Sequence, residues 1–163
     1  MGIRNCADIG ENLQKIMTRL MANDKLVNYL YYTDADPLSQ TPLTAAQKQT
    51  LIFNKLIKII PRVGAKETAH SVIAIRVIEG RQNSENGEFK DVIISIEVFV
   101  PLTQWMIKDT NLRPFAILGE IKSSLDNKKI NGLGKMTGGD FVLEFITDDV
   151  VCYEQTYRLT SYD

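Results

Sequence analysis

The stretch Asn131-Gly132-Leu133-Gly134-Lys135-Met136-Thr137-Gly138-Gly139-Asp140 gathers four glycines and a lysine, residue types that can wrap a phosphate in backbone amides. A phosphate loop of the Walker type needs a glycine, four intervening residues, then Gly-Lys and a hydroxyl residue to meet magnesium. Here Met136 follows Gly134-Lys135, and Lys129 stands where the first glycine belongs. A dinucleotide fingerprint counted from Gly132 needs its third glycine where Thr137 stands, with a strand before it and a helix after. The surrounding pattern is the reverse, so the glycines read as a joint that needs positive φ, with Lys135 a surface charge.

Other reactive residue types are scattered. His70 has no second histidine and no nearby cysteine to complete a metal site, and reads as a structural histidine at a strand edge. Asp34 and Asp36, with Asp24 nearby, suit a hard cation but lack the glutamate and glycine spacing of a calcium loop, which leaves a solvated turn. Asp148-Asp149 reads as a hairpin tip. Lys128 and Lys129, with Lys122 and Lys135, form a basic cluster that either contacts phosphate or complements a helix C-terminus. Trp105, beside Met106 and Ile107, is either an interface anchor or a core residue. No nucleophile, base and orienting group converge, so the expectation is a non-enzymatic protein with no catalytic residue, metal or cofactor.

The elements that position these residues are legible in the hydrophobic spacing. Ile9, Leu13, Ile16, Met17, Leu20 and Met21 form one apolar stripe, which predicts an N-terminal amphipathic helix. Asn23 or Asp24 caps a second helix with Leu26, Val27, Tyr29 and Leu30 on its buried side. A loop over residues 33–43 precedes Thr44-Ala45-Ala46-Gln47, a capping box that opens a short helix over 45–53. Residues 56–60, apolar and β-branched before Pro61, fit the end of that helix or a first strand, and are read as a short strand. Residues 71–79 and 91–100, rich in Val and Ile, flank a polar tip containing Asn86-Gly87 and predict a hairpin. In its second arm Val92, Ile94, Ile96, Val98 and Val100 share a core face, while Ile93, Ser95, Glu97 and Phe99 share a mixed one. Arg113-Pro114-Phe115 opens another helix, and residues 141–146 and 150–159 form a second hairpin. The class is α+β: a mainly antiparallel sheet of two hairpins plus a short strand, covered by the N-terminal helix and a helix between the hairpins.

At 163 residues the length favours one domain, 1–163, able to bury about two-thirds of its unfolded surface. Hydrophobic residues at 44% and charged ones at 24% exclude a disordered chain. Nineteen Lys and Arg against twenty Asp and Glu give a net charge of −1, so no global basic field favours tight duplex binding. Cys6 and Cys152 have no Cys-x-x-Cys spacing, which predicts reduced thiols in a cytoplasmic setting. The apolar runs are interrupted by Lys58, Arg76 and Glu97 short of a membrane span, and residues 1–6 carry no apolar signal core.

Several phrases together carry a resemblance: Glu11-Asn12-Leu13-Gln14-Lys15-Ile16-Met17, Asp34-Ala35-Asp36-Pro37-Leu38, Pro101-Leu102, Leu112-Arg113-Pro114-Phe115, and Gly132-Leu133-Gly134-Lys135 followed by residues 153–159. Over nearly its whole length the chain resembles small structural proteins from the head-and-tail gene clusters of tailed bacteriophages. In size and element order it is similar to the tail terminator (tail completion) family. The resemblance implies a homo-oligomeric ring, commonly a hexamer, that caps the tail tube and meets the head connector. Its implied partners are the tail tube protein, the connector or neck protein, and genomic DNA passing through the lumen without specific binding. The implied location is the neck of the virion, after assembly in the host cytoplasm and without a membrane. A head-side neck adaptor, a small protein binding a host target, and a nucleotide-binding cytoplasmic protein remain alternative readings.

A hairpin loop usually takes about two to five residues, and the longer polar tip here marks a contact surface. Arg81, Gln82, Asn83, Ser84, Glu85, Asn86, Gly87 and Glu88, together with Trp105, are therefore the candidate subunit-interface residues.

Overall fold

The computed structural model describes residues 6–60, 69–82, 89–130 and 134–160. Helix α1 (Ala7–Met21) buries Leu13, Ile16, Met17 and Leu20, the predicted stripe. Helix α2 (Asp24–Tyr31) is capped by Asn23, whose side chain accepts from the Leu26 amide at 3.1 Å. The same side chain donates to Glu120 Oε2 at 2.9 Å and Ser124 Oγ at 3.0 Å, so the cap also ties α2 to the helix that follows the central strands. Helix α3 (Ala45–Leu51) opens with the predicted capping box between Thr44 and Gln47. It stops at Leu51, short of Phe53, because Asn54 at φ +53° turns the chain and places Ile57 beside a strand.

Strand β1 (Ile57–Ile59) is the predicted short strand, and it pairs parallel to β2 (Val72–Gln82) through Ile57↔Ile73 to Ile59↔Ile75. Strand β2 then pairs antiparallel with β3 (Phe89–Pro101). Arg81 and Gln82 belong to this ladder, opposite Asp91 and Phe89, so the two arms run further into the polar tip than their composition predicts. Backbone pairing across a ladder tolerates polar side chains when they face solvent. Strands β4 (Met106–Ile107) and β5 (Asn111–Leu112) form a small separate ribbon. Helix α4 (Arg113–Leu125), begun by Pro114, leads to β6 (Lys129–Ile130), β7 (Gly134–Ile146) and β8 (Val150–Thr160).

The main sheet has the order β1-β2-β3-β8-β7-β6. The two hairpins therefore meet at β3 and β8, which pair antiparallel from Asp91↔Thr160 to Pro101↔Val150. The fold is α+β with a mostly antiparallel sheet. On β3, Val92, Ile94, Ile96, Val98 and Val100 are all buried and join Leu13, Ile16, Ile117, Ile121 and Leu125 in the core. The opposite face is mixed, as its sequence predicts, although Ser95 and Glu97 are themselves buried there among neighbouring polar groups.

The glycines have the expected positive φ, at 81° for Gly134, 142° for Gly138 and 93° for Gly139, but they do not form a joint ahead of the last hairpin. Gly134, Gly138 and Gly139 lie within β7, which starts well before Phe141. Gly138 has φ +142°, and a Cβ on it would sit 2.4 Å from the Thr156 carbonyl oxygen across the ladder. A bulge between Gly138 and Asp140 absorbs the extra residue. Gly139 offers its carbonyl to Gln155 Nε2 at 3.0 Å, and Gln155 Oε1 accepts from the Tyr157 hydroxyl at 2.9 Å. Gly138 is a strand residue required by close backbone approach, whereas a Cβ on Gly139, at φ +93°, would meet only the flexible Lys122 side chain at 3.1 Å. Residues 131–133 lie outside the described residues.

Arg113 acts as more than a helix opener. Its side chain is fully buried and donates to four main-chain carbonyls: Gln104 at 3.0 Å, Tyr29 at 2.7 Å, Tyr32 at 2.8 Å and Asp34 at 2.5 Å. It thereby ends α2, fixes the loop after it and anchors the start of α4 in one contact set.

Candidate subunit interface

Strand β7 has an asymmetric environment. One edge pairs with β8 along the strand. Its other edge is covered by β6 only at Gly134 and Lys135, opposite Ile130 and Lys129. Met136 still bonds the main chain of Asn127 and Lys128, and the Gly138 amide donates to Asp126; past Gly138 no described strand pairs with this edge, which leaves a row of outward backbone donors and acceptors. Over residues 141–146, Phe-Val-Leu-Glu-Phe-Ile, every residue is exposed, and the five apolar ones keep between 43% and 61% of their surface in solvent. A long, apolar, open edge strand is a template for pairing with another chain.

Both faces of this strand are apolar near its tip. On the helix-covered face Phe141 packs with Phe115 and Tyr153, with ring centroids 5.8 and 6.0 Å away, and Phe115 lies 5.3 Å from Tyr153. On the open face Phe145 meets Phe99 at 6.0 Å. The open face next carries charge. Glu154 accepts from Ser95 Oγ and shares a hydrogen bond with Glu144, while Glu97 pairs with Arg76. The Glu144 carboxyl is raised above its ordinary value first by that hydrogen bond, and burial raises Glu97. Cys152 sits buried in the same row, and burial pushes its thiol up as well.

A second open edge lies across the sheet. Strand β1 covers β2 only from Ile73 to Ile75, so residues 77–82 pair with β3 alone among the described residues. Ile78 is exposed there at 55%. Of the candidate interface residues, Arg81 and Gln82 are exposed on this segment, with Arg81 Nε 2.5 Å from Glu79 Oε1. Asn83, Ser84, Glu85, Asn86, Gly87 and Glu88 lie outside the described residues. Trp105 is half-buried against the core, and its carbonyl accepts from the Arg113 amide at 2.9 Å. Arg81 and Gln82 thus lie on one edge, and Trp105 lies on a different part of the molecule. Sequence reasoning did not single out residues 141–146 as a site; five apolar residues in a run of six was the available signal, and it equally fits a buried strand.

The remaining chemistry-bearing residues have local partners. His70 Nδ1 lies 2.9 Å from the Tyr31 carbonyl oxygen, and its ring stacks on Tyr31 at 5.7 Å. Asp36 pairs with Lys108 at 3.0 Å on the wall of a depression of about 550 Å³, lined also by Tyr29, Pro37, Ile107 and Asp109. Thr147 Oγ1 accepts from the Asp149 and Val150 amides and closes the β7–β8 turn. Lys129 and Lys135 are direct cross-strand partners, and Lys15 and Arg19 of α1 line a groove shared with Lys129. Among the described residues no group of three or more His, Cys, Asp or Glu is placed to hold a metal ion, and no helix is long and apolar enough to cross a membrane.

Comparison with protein families places residues 23–159, from the cap of α2 to the last strand, on a family model described as YomW. The chain belongs to the YomW family, and the match suggests a phage-associated protein. Comparison with curated proteins gives no match.

Proposed function

We propose that this YomW-family chain is a non-enzymatic structural subunit of a phage virion, the tail terminator that forms a ring, capping the tail tube and joining it to the head connector. The observation that carries this reading is the open apolar edge of β7 at residues 141–146. A monomer that works alone in water covers or charges such an edge; an assembly subunit keeps it for a neighbour. The near-neutral net charge of −1 suits a ring through which DNA passes without being gripped.

Magnitude supports an assembly over a simple dimer. A fully buried large apolar side chain contributes about 1.5–3 kcal/mol, so five half-exposed ones have roughly 5 kcal/mol still to gain. Association itself costs about 4–15 kcal/mol. One such seam is weak, and a subunit held on two sides in a closed ring is the stable form.

The test is negative-stain microscopy and light scattering of the purified chain, with and without phage tails assembled in its absence. Rings, or density added at the end of the tail tube, are expected. Binding to the head connector with none to tails would move the protein to the head side of the neck. Failure to associate with itself, with tails or with connectors would overturn the reading.

A further inference from the structure

We propose that neighbouring copies join by antiparallel pairing of β7, over residues 141–146, with the open outer half of β2, residues 77–82, of the next copy, so that one sheet continues from subunit to subunit. This rests on the reading of the chain as a self-assembling virion subunit and names the contact that assembles it.

Three observations select this occupant. The first is that among the described residues the sheet has two open edges on opposite sides, different in sequence, each flanked by a short strand: β6 reaches only the start of β7, and β1 only the start of β2. Two unlike edges make a head-to-tail contact, the kind that closes into rings.

The second is strand direction. Between the edges lie β2, β3, β8 and β7, each antiparallel to the next, so β7 runs opposite to β2. Rotation about an axis along the strands keeps every direction, and β7 therefore meets the next β2 in antiparallel sense, the better-bonded of the two pairings. The third is charge. Register places Asp140, Val142 and Glu154 on the open face, with Glu144 hydrogen-bonded to Glu154 there. The same register places Arg76, Glu79 and Arg81 on that face of β2. Within residues 77–82 that face carries Arg81 beside its own partner Glu79, so a seam between β7 and β2 brings one arginine together with one acid to the carboxylates of β7, whereas a two-fold seam between two β7 strands brings carboxylates alone. On the helix-covered face, Gly80 leaves room for Phe141 and Leu143 of the neighbour.

Complementation between blocked copies tests this. One full-length variant carries Val142→Lys and Phe145→Lys, the other Ile78→Asp and Arg81→Asp, with circular dichroism melts to verify that each folds. Each alone is expected to run at the mass of one chain by light scattering, because each lacks one half of every seam. Mixed, they are expected to form a one-to-one pair, or rings if the new charges also match, since an intact β7 edge then meets an intact β2 edge. If the β2 variant assembles like the wild type while the β7 variant does not, the seam is β7 to β7 and the pairing is overturned. If both variants form rings, the seam lies elsewhere; the pairing is overturned and the reading as a ring subunit stands. A wild-type chain that stays monomeric at its highest attainable concentration overturns the pairing, and the functional reading then rests on tail binding alone.

Discussion

Arg113 offers the sharpest test of how this fold is held. Its guanidinium donates to the carbonyls of Gln104, Tyr29, Tyr32 and Asp34 while fully buried. Burial lowers its pKa from the ordinary arginine value, and it remains charged at any pH the protein meets. Arg113→Met keeps the length and removes every donor. Hydrogen bonds to a charged group contribute about 1.5–3 kcal/mol each, but they share one side chain, and removing the arginine also removes its own desolvation cost of several kcal/mol. The four carbonyls left without a donor cost about 1–3 kcal/mol each, and set against the recovered desolvation the net expectation is a loss of about 3–5 kcal/mol. With a urea dependence of about 1–3 kcal/mol per molar, the midpoint should fall by roughly 2 M. Arg113→Lys, retaining a charge but not the planar fork, should fall between the two. Urea denaturation followed by circular dichroism measures this. A loss below about 1 kcal/mol for Arg113→Met, at unchanged slope, would refute the claim that this contact set organises the junction of α2 and α4.

Gly138→Ala should cost about 1–3 kcal/mol, because its Cβ would meet the Thr156 carbonyl at 2.4 Å, while Lys135→Ala should stay within about 0.5 kcal/mol; thermal melts of the pair decide it. Under native conditions a thiol reagent should modify exposed Cys6 and leave buried Cys152 untouched until urea unfolds the chain; rapid labelling of both would contradict the packing. Glu97 is raised from the ordinary 4.5 chiefly by burial, so its stabilising contribution is fully present below that value and is lost as pH rises through the folded pKa. Glu97→Gln should accordingly flatten the fall in melting temperature on the alkaline side of 4.5, and an unaltered pH profile would sink that assignment.

Local rules sufficed for much of this molecule. The stripe of α1, the Asn23 cap, the Thr44 capping box, the buried row from Val92 to Val100 and the two hairpins are all readable because each depends on neighbours within a few residues. The glycine stretch was legible as something other than a phosphate site, since both fingerprints fail at identifiable positions. Its place inside β7 was not legible, because it depends on how closely the Thr156 backbone approaches across the ladder. Arg113 looked like an ordinary first-turn residue, and three of its four acceptors, at Tyr29, Tyr32 and Asp34, come from a segment far away in sequence.

The same division governs the interface. Sequence alone determined that residues 141–146 are apolar and extended. Whether such a strand is the centre of a sheet or its rim is set by strand order, a property of long-range pairing that no local pattern encodes. Only the tertiary arrangement put β8 on one side of β7 and a two-residue β6 on the other, leaving the apolar run over residues 141–146 facing water.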